Sequence, residues 1–318
     1  MSASPASFLF VFFDGVGVAP ADPARNPFAH LTGGWFPTDL ELGQSRSLPA
    51  GGWVKAIDAN LEVPGLPQSA TGQSSLFSGV NTSALLGHHL FAYPSRTVRA
   101  SLMQHNLLLD AIRLGAEARF LNAYPGLDEI LSPPSRLVVE SDGRITAEGV
   151  DPQFVRRLSC TTVMALSIHR PFFGTRAMQE GRALAADFTQ QRLADLGHPV
   201  PVHSVVEAGR VLARAASPWR VGLYEYFQTD RIGHLADLTA ARAEAEHIQG
   251  FLRAVVEAVD LQRTTVVVSS DHGNLEDAAT RGHTRNPVPL MTWGPAAEDL
   301  ISRCDSILDV TPALLGWL

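Results

Sequence analysis

Three apolar runs in this chain each end in an aspartate. Phe8-Leu-Phe-Val-Phe-Phe13 leads into Asp14-Gly15, the stretch from Arg220 through Tyr226 leads into Asp230, and Thr264-Thr-Val-Val-Val-Ser-Ser270 leads into Asp271-His272-Gly273. A continuous apolar run, unlike an alternating one, suits a strand covered on both faces, the situation of parallel sheets flanked by helices. The acid at the end of each run then reaches the carboxyl edge of the sheet, where open α/β sheets collect ligands. Between the second and third runs, residues 240–259 carry helix formers with Ile248, Leu252, Val255, Val256 and Val259 on one stripe. That stripe predicts a crossover helix joining two parallel strands. The expected fold is therefore α/β: a three-layer sandwich around a mostly parallel central sheet.

A chain of 318 residues has room for one large α/β domain and a smaller insertion. From about His89 to Val205 the pattern changes to Pro-rich turns (Ser132-Pro-Pro-Ser135) and a hairpin-like Glu140-Ser-Asp-Gly143, with no apolar run ending in an acid. The expected organisation is an α/β domain made of residues 1–88 and 206–318, interrupted by a cap at 89–205. A net charge of -7 argues against a nucleic-acid partner, which needs clustered Lys and Arg, and Lys55 is the only lysine. The two cysteines, Cys160 and Cys304, have neither CxxC spacing nor a disulfide framework, which suits a reducing compartment and a cytoplasmic location. No run approaches the length of a membrane span, and no basic residue precedes Phe8 as a signal peptide would require.

The groups expected at the sheet edge have one chemistry in common. Asp14, Asp230 with His234, the pair Asp271-His272, and His283 offer carboxylate oxygen and imidazole nitrogen, the donors of hard and borderline divalent cations. Asp230 and His234 are four apart, so on a helical turn they face one way and can share a metal. Asp271 and His272 are adjacent and would diverge from a straight strand, so one metal can use both only if the backbone bends, which Gly273 permits. The segment from Leu66 to Gly79 contributes Ser69, Thr71, Ser74 and Ser75 near a helix start, where free N–H groups favour an anion. Composition does not choose among these hydroxyls.

Ser269-Ser-Asp-His-Gly-Asn-Leu-Glu276 followed by Gly282-His-Thr-Arg-Asn-Pro-Val-Pro-Leu290 resembles the carboxy-terminal metal motif of cofactor-independent phosphoglycerate mutase and its phosphopentomutase relatives, in the alkaline phosphatase superfamily. Thr229-Asp-Arg-Ile-Gly-His234 resembles the Asp-x-x-Gly-His motif of that family, and Asp14-Gly15 matches its opening ligand. The resemblance implies an alkaline-phosphatase-like fold and two divalent metal ions, Mn or Zn. Asp230, His234 and His283 would hold one ion, and Asp14, Asp271, His272 and Ser69 the other. It also implies a serine nucleophile ten positions before a helix glycine; counting back from Gly79 gives Ser69. The mutase pattern Asn-Ser-x-x-Gly-His overlays Gln68-Ser-Ala-Thr-Gly-Gln73 in the same register, with Gln73 in place of histidine. The mutase's insertion is longer and basic, so mutase activity itself does not follow.

The expected function is a two-metal phosphatase or phosphomutase acting on a small phosphoester through a phosphoserine. The alternatives are a sulfate or phosphonate ester hydrolase of the same superfamily, or a catalytically silent relative. Thr71, Gln73 and Arg285 are candidates for substrate contact; Arg96 and Arg231 are equally candidates for surface ion pairs. His88 and His89 are expected at the surface. Glu225, inside an expected buried strand, needs a partner, with an arginine of the cap as the candidate. No feature fixes the oligomeric state.

Overall fold

A computed structural model describes residues 7–318. Nine strands occur among them: β1 (Ser7–Phe13), β2 (Ser45–Leu48), β3 (Gly52–Ile57), β4 (Ala118–Phe120), β5 (Leu137–Val139), β6 (Ile145–Ala147), β7 (Val221–Tyr226), β8 (Thr264–Ser269) and β9 (Val288–Trp293). Seven of them form one sheet in the order β2-β3-β9-β8-β1-β7-β4. The neighbours β4, β7, β1 and β8 are parallel. β9 runs antiparallel between β8 and β3, which returns β3 to the common direction, and β2 is antiparallel at the edge.

The two apolar faces of β1 explain the layering. Phe8, Phe10 and Phe12 sit in one core with Phe77 of helix Ser69–Ser78, the helix Cys160–Ser167 and the helix Ile307–Leu315. Leu9, Val11 and Phe13 sit in the other, under helices Val205–Ala216 and Leu238–Ala258. Successive strand residues face opposite ways, so an unbroken apolar run fills both cores at once. This is the expected three-layer α/β sandwich. The crossover helix runs from Leu238 to Ala258, with Ile248, Leu252, Val255 and Val256 buried on its predicted stripe and Val259 as its C-cap.

The stretch 89–205 is not wholly separate from this sheet. Its β4 pairs with β7, and its helices Arg96–Gln104 and Cys160–Ser167 share the core of Phe8, Phe10 and Phe12. The turn Glu140–Gly143 joins β5 to β6 in a separate antiparallel pair. Cys160 and Cys304 are free and buried. Among the described residues no helix is long and apolar enough to cross a membrane.

Far from the Asp-bearing strand ends, Phe251 is fully buried and stacks on Phe188 with ring centroids 4.2 Å apart. Phe251→Ala should cost about 3–5 kcal/mol, the usual loss for emptying a buried aromatic site. Urea titration should show the lower midpoint at an unchanged slope.

Candidate metal centre

Asp14 follows β1 directly and is 7% exposed. Gly15 takes φ +67°, and a Cβ there would lie 2.7 Å from Asp230 Oδ1. Only glycine lets the chain turn left-handed so close to a second carboxylate. Asp230 does not end a strand as the sequence suggests: β7 stops at Tyr226, and the aspartate rides on the short helix Gln228–Gly233 that follows, with His234 as its C-cap. Asp271 and His272 come just after β8, and both are fully buried. The backbone does bend at Asp271 and His272, without a positive φ at Gly273; a Cβ there would meet Thr284 Oγ1 at 2.2 Å and Glu276 Oε1 at 2.3 Å. Glycine is needed at that point for space.

The ends of these strands bring six of the sequence candidates together. Ligand atoms of Asp14, Asp271 and His272 lie within 4.8 Å of one another, and so do those of Asp230, His272 and His283. His272 Nε2 is the hub, 3.4 Å from Asp14 Oδ1, 3.5 Å from Asp271 Oδ2 and 3.1 Å from Ser69 Oγ. His234 stands beside Asp230, its Nε2 3.3 Å from Oδ2, and His272 lies within reach of Asp230 and His283 as well. The rings of His272 and His283 stack at 3.7 Å.

Each of the three imidazoles is held by a backbone carbonyl at Nδ1. His283 meets Pro67 O at 2.7 Å, His234 meets Arg281 O at 2.7 Å and His272 meets Gly273 O at 3.3 Å. A carbonyl only accepts, so Nδ1 is assigned the proton and Nε2 is left as the donor atom facing the cluster. Metal-binding histidines are commonly fixed in this way. Asn274 Nδ2 donates to Asp230 Oδ1 at 2.6 Å, and Gln73 Nε2 donates to Asp14 Oδ2 at 3.2 Å. Glu276, fully buried, accepts from Gly17 N at 2.8 Å, Asn274 N at 2.7 Å and Asn286 Nδ2 at 3.0 Å, tying the β1 loop to the loop after β8.

What the cluster lacks is positive charge. Asp14 Oδ1, Asp271 Oδ2 and His283 Nε2 are buried with no hydrogen-bond partner. Burial, then the charges of Asp271 and Asp230, push Asp14 well above the usual carboxylate range. Asp271 is pushed up to about 7 by burial and then by Asp230. Burial would raise Asp230 too, but the imidazoles of His234 and His283, with Nε2 3.3 and 3.5 Å from its oxygens, outweigh it and hold this carboxyl low. His272 is pushed down to about 3 by burial and then by His283, so its imidazole is neutral. Three carboxyls and imidazole nitrogens around one buried space fit divalent cations, which would supply the missing charge.

Ser69 opens the helix Ser69–Ser78, and Gln68 before it makes no side-chain cap, so first-turn N–H groups stay available for an anion. Asp14, Ser69, Gln73 and Asp230 line a cavity of about 650 Å³. Thr71, the other hydroxyl weighed, is fully buried and off this wall, its Oγ1 donating to Gln68 O and accepting from Leu90 N. Arg285 is exposed and also off the wall. Arg96 pairs with Asp142, whereas Arg231 does line the cavity. Arg157 lines it too and carried no signal in the sequence. Neither Arg157 nor Arg231 makes an ion pair among the described residues. Glu225 is bound by Thr161, whose Oγ1 donates to Oε2 at 2.6 Å, in place of the expected arginine, and burial pushes its carboxyl up to about 7. His88 is exposed and His89 half-buried.

Residues 213–315 match the model of the Metalloenzyme superfamily. The 2,3-bisphosphoglycerate-independent phosphoglycerate mutase of Desulforudis audaxviator is 39% identical over 102 residues, which are 30% of this chain and 20% of the relative. The chain thus spans about a fifth of the length of the curated relatives it matches. The PH0037 protein of Pyrococcus horikoshii shares the fold over 99% of this chain and 98% of its own, with a TM-score of 0.51 and 13% identity. An alkaline phosphatase from the Antarctic bacterium TAB5 superposes with a TM-score of 0.45 at 11% identity. The superfamily resemblance read from the motifs is borne out over the segment holding Asp230, His234, Asp271, His272 and His283. Asp14 and Ser69 lie outside it, and their link to the others is geometric.

Chelation should lower the melting temperature, and Mn²⁺ or Zn²⁺ should restore it. At a hundredfold excess over the dissociation constant the ion would add about 3 kcal/mol. Asp271→Asn should remove the response, as differential scanning calorimetry with and without metal can read. In metal-free protein, Glu225 should make stability fall as pH rises from about 4.5 to 7. The unfolded chain ionises first while the folded carboxyl resists, costing about 3 kcal/mol in all. Denaturation at a series of pH values should show a flatter profile for Glu225→Gln.

Proposed function

We propose that this chain is a two-metal phosphoester-processing enzyme with Ser69 as nucleophile. The observation that carries this reading is the 3.1 Å contact between Ser69 Oγ and His272 Nε2 at the edge of a cluster of buried, partnerless carboxylate and imidazole atoms. Asp230, His283 and His234 would hold one ion and Asp14, Asp271 and His272 the other, with Ser69 beside the second. Bound there, a pair of divalent ions would lower the pKa of a neighbouring hydroxyl and neutralise charge on the transferring phosphoryl group.

The chain's own residues do the rest. Beside the ion that Asp14, Asp271 and His272 would hold, the Ser69 hydroxyl would lose its proton more readily, and its place 3.1 Å from His272 Nε2 sets Oγ at the edge of that cluster. First-turn N–H groups favour the phosphoryl oxygens, and the guanidinium forks of Arg157 and Arg231 on the same wall suit bidentate grip of that group. Attack of Oγ on phosphorus breaks the bond to the substrate alcohol, leaving a phosphoserine and the freed alcohol. Transfer of phosphate to water makes a phosphatase; transfer to an acceptor hydroxyl makes a mutase. The named activity of the mutase relatives favours a small soluble phosphoester, and Gln73, hydrogen-bonded to Asp14, stands at the mouth of the same cavity.

The Mn- or Zn-loaded protein should hydrolyse an aryl phosphate, and Ser69→Ala should lower kcat by about a thousandfold or more, as loss of a nucleophile does. Its melting temperature should stay near wild type. Acid quench during turnover should yield a phosphorylated peptide spanning Leu66 to Phe77. A Ser69→Ala enzyme of undiminished activity would overturn the assignment.

A further inference from the structure

One part of the cavity wall plays no role in the chemistry above. Phe91, Tyr93, Phe154 and Phe227 line the same space as Ser69, and Phe91 and Tyr93 are 66% and 43% exposed. Single exposed aromatics are ordinary, but with half-buried Tyr124 as the fifth, five aromatic rings line this one cavity. The segment carrying two of them is held in shape. Leu90 N donates to Thr71 Oγ1 at 3.1 Å, which fastens the segment to the helix of Ser69. Tyr93 N donates to Phe91 O at 2.9 Å. Ala92 between them sits in the left-handed region at φ +58°, which a residue with a Cβ adopts only under constraint. At its far end Ser95 caps the helix Arg96–Gln104. The backbone is thus strained where it presents the two rings. A cavity of about 650 Å³ is also far larger than a three-carbon phosphoester fills, and falls in the range that encloses drug-sized ligands.

We infer that the substrate of this site is a phosphomonoester whose alcohol carries a flat aromatic or heteroaromatic ring, seated among Phe91, Tyr93, Phe154 and Phe227 while its phosphate meets Ser69. This rests on the phosphoester reading above. Flat rings gain from stacked and edge-on contacts that a saturated group of equal bulk does not make. The segment's tie to Thr71 sets the distance between ring and phosphate by the same helix that places the nucleophile.

The test is calorimetric binding of three non-hydrolysable phosphonates to the Mn-loaded protein: 2-phenylethyl, 2-cyclohexylethyl and propyl. The phenyl compound should bind at least about tenfold tighter than the propyl one, the scale of a good aromatic contact, and tighter than the cyclohexyl one. The double variant Phe91→Ala/Tyr93→Ala should collapse the phenyl-to-propyl ratio toward one, and Ala92→Gly, which frees the segment, should reduce it. Both rings are exposed, so melting should confirm that the double variant folds. Equal binding of phenyl and propyl compounds, equal binding of phenyl and cyclohexyl, a ratio untouched by the double variant, or no binding of any of the three would each overturn the inference. Ring-selective binding without turnover of 2-phenylethyl phosphate would support the ring site and count against the enzyme reading, so the two failures are distinct.

Discussion

Everything in this molecule is arranged around a debt of charge. Asp14, Asp230 and Asp271 converge in a space that water barely reaches, and the nearby imidazoles carry too little positive charge to balance them. Burial and mutual repulsion push two of the three carboxyls upward, while the third is held low chiefly by the neighbouring imidazoles of His234 and His283. A protein core normally rejects such an assembly, because unpaired buried charge costs more than nearby contacts return. Its persistence here is explained by what surrounds it. Strand β1 lies between parallel β7 and β8, so Asp14 emerges flanked by the loops that carry the other two aspartates. Glu276 then ties the loop after β1 to the loop after β8.

The imidazoles add a second constraint. Fixing each Nδ1 on a carbonyl removes the choice of tautomer and sets the ring plane before any ligand arrives. These carbonyls come from two connections: Pro67 from the one before the helix of Ser69, Gly273 and Arg281 from the one between β8 and β9. The loop before the helix of Ser69 thus positions His283 as well, and the two residues share one support.

Much of this was legible in the sequence because the strands are fully buried. An apolar run with no alternation fits little besides a strand covered on both faces, and the acids closing β1 and β8 stand where the run predicts. Asp230 was legible as a site residue but not as a helix residue, since the apolar pattern of β7 continues through Phe227 past the last strand residue. Spacing along a helix says that Asp230 and His234 are neighbours, and they are; it cannot say that His272 comes within reach of Asp230 and His283 as well. Glu225 was expected to need a cation, yet a threonine hydroxyl suffices for a carboxyl that burial keeps partly protonated. β4 left no trace because an edge strand of three residues is too short for any periodicity. The aromatic wall was equally silent: Phe91, Tyr93, Phe154 and Phe227 have no common spacing, and only the fold brings them to one place.

The sheet order has a consequence for how such proteins diversify. The residues that gather at the cluster are positioned by β1, β7, β8 and the segments beside them, and nearly all of the chain between the first helix of the site and β7 is used elsewhere. Lengthening that excursion would cost little, since the entropy of closing a loop grows only with the logarithm of its length, about 0.6 kcal/mol per doubling. Evolution can therefore splice roofs of very different size over an unchanged hearth. In this chain the roof brings two exposed aromatic rings, Phe91 and Tyr93, to the hearth on one short, tense span.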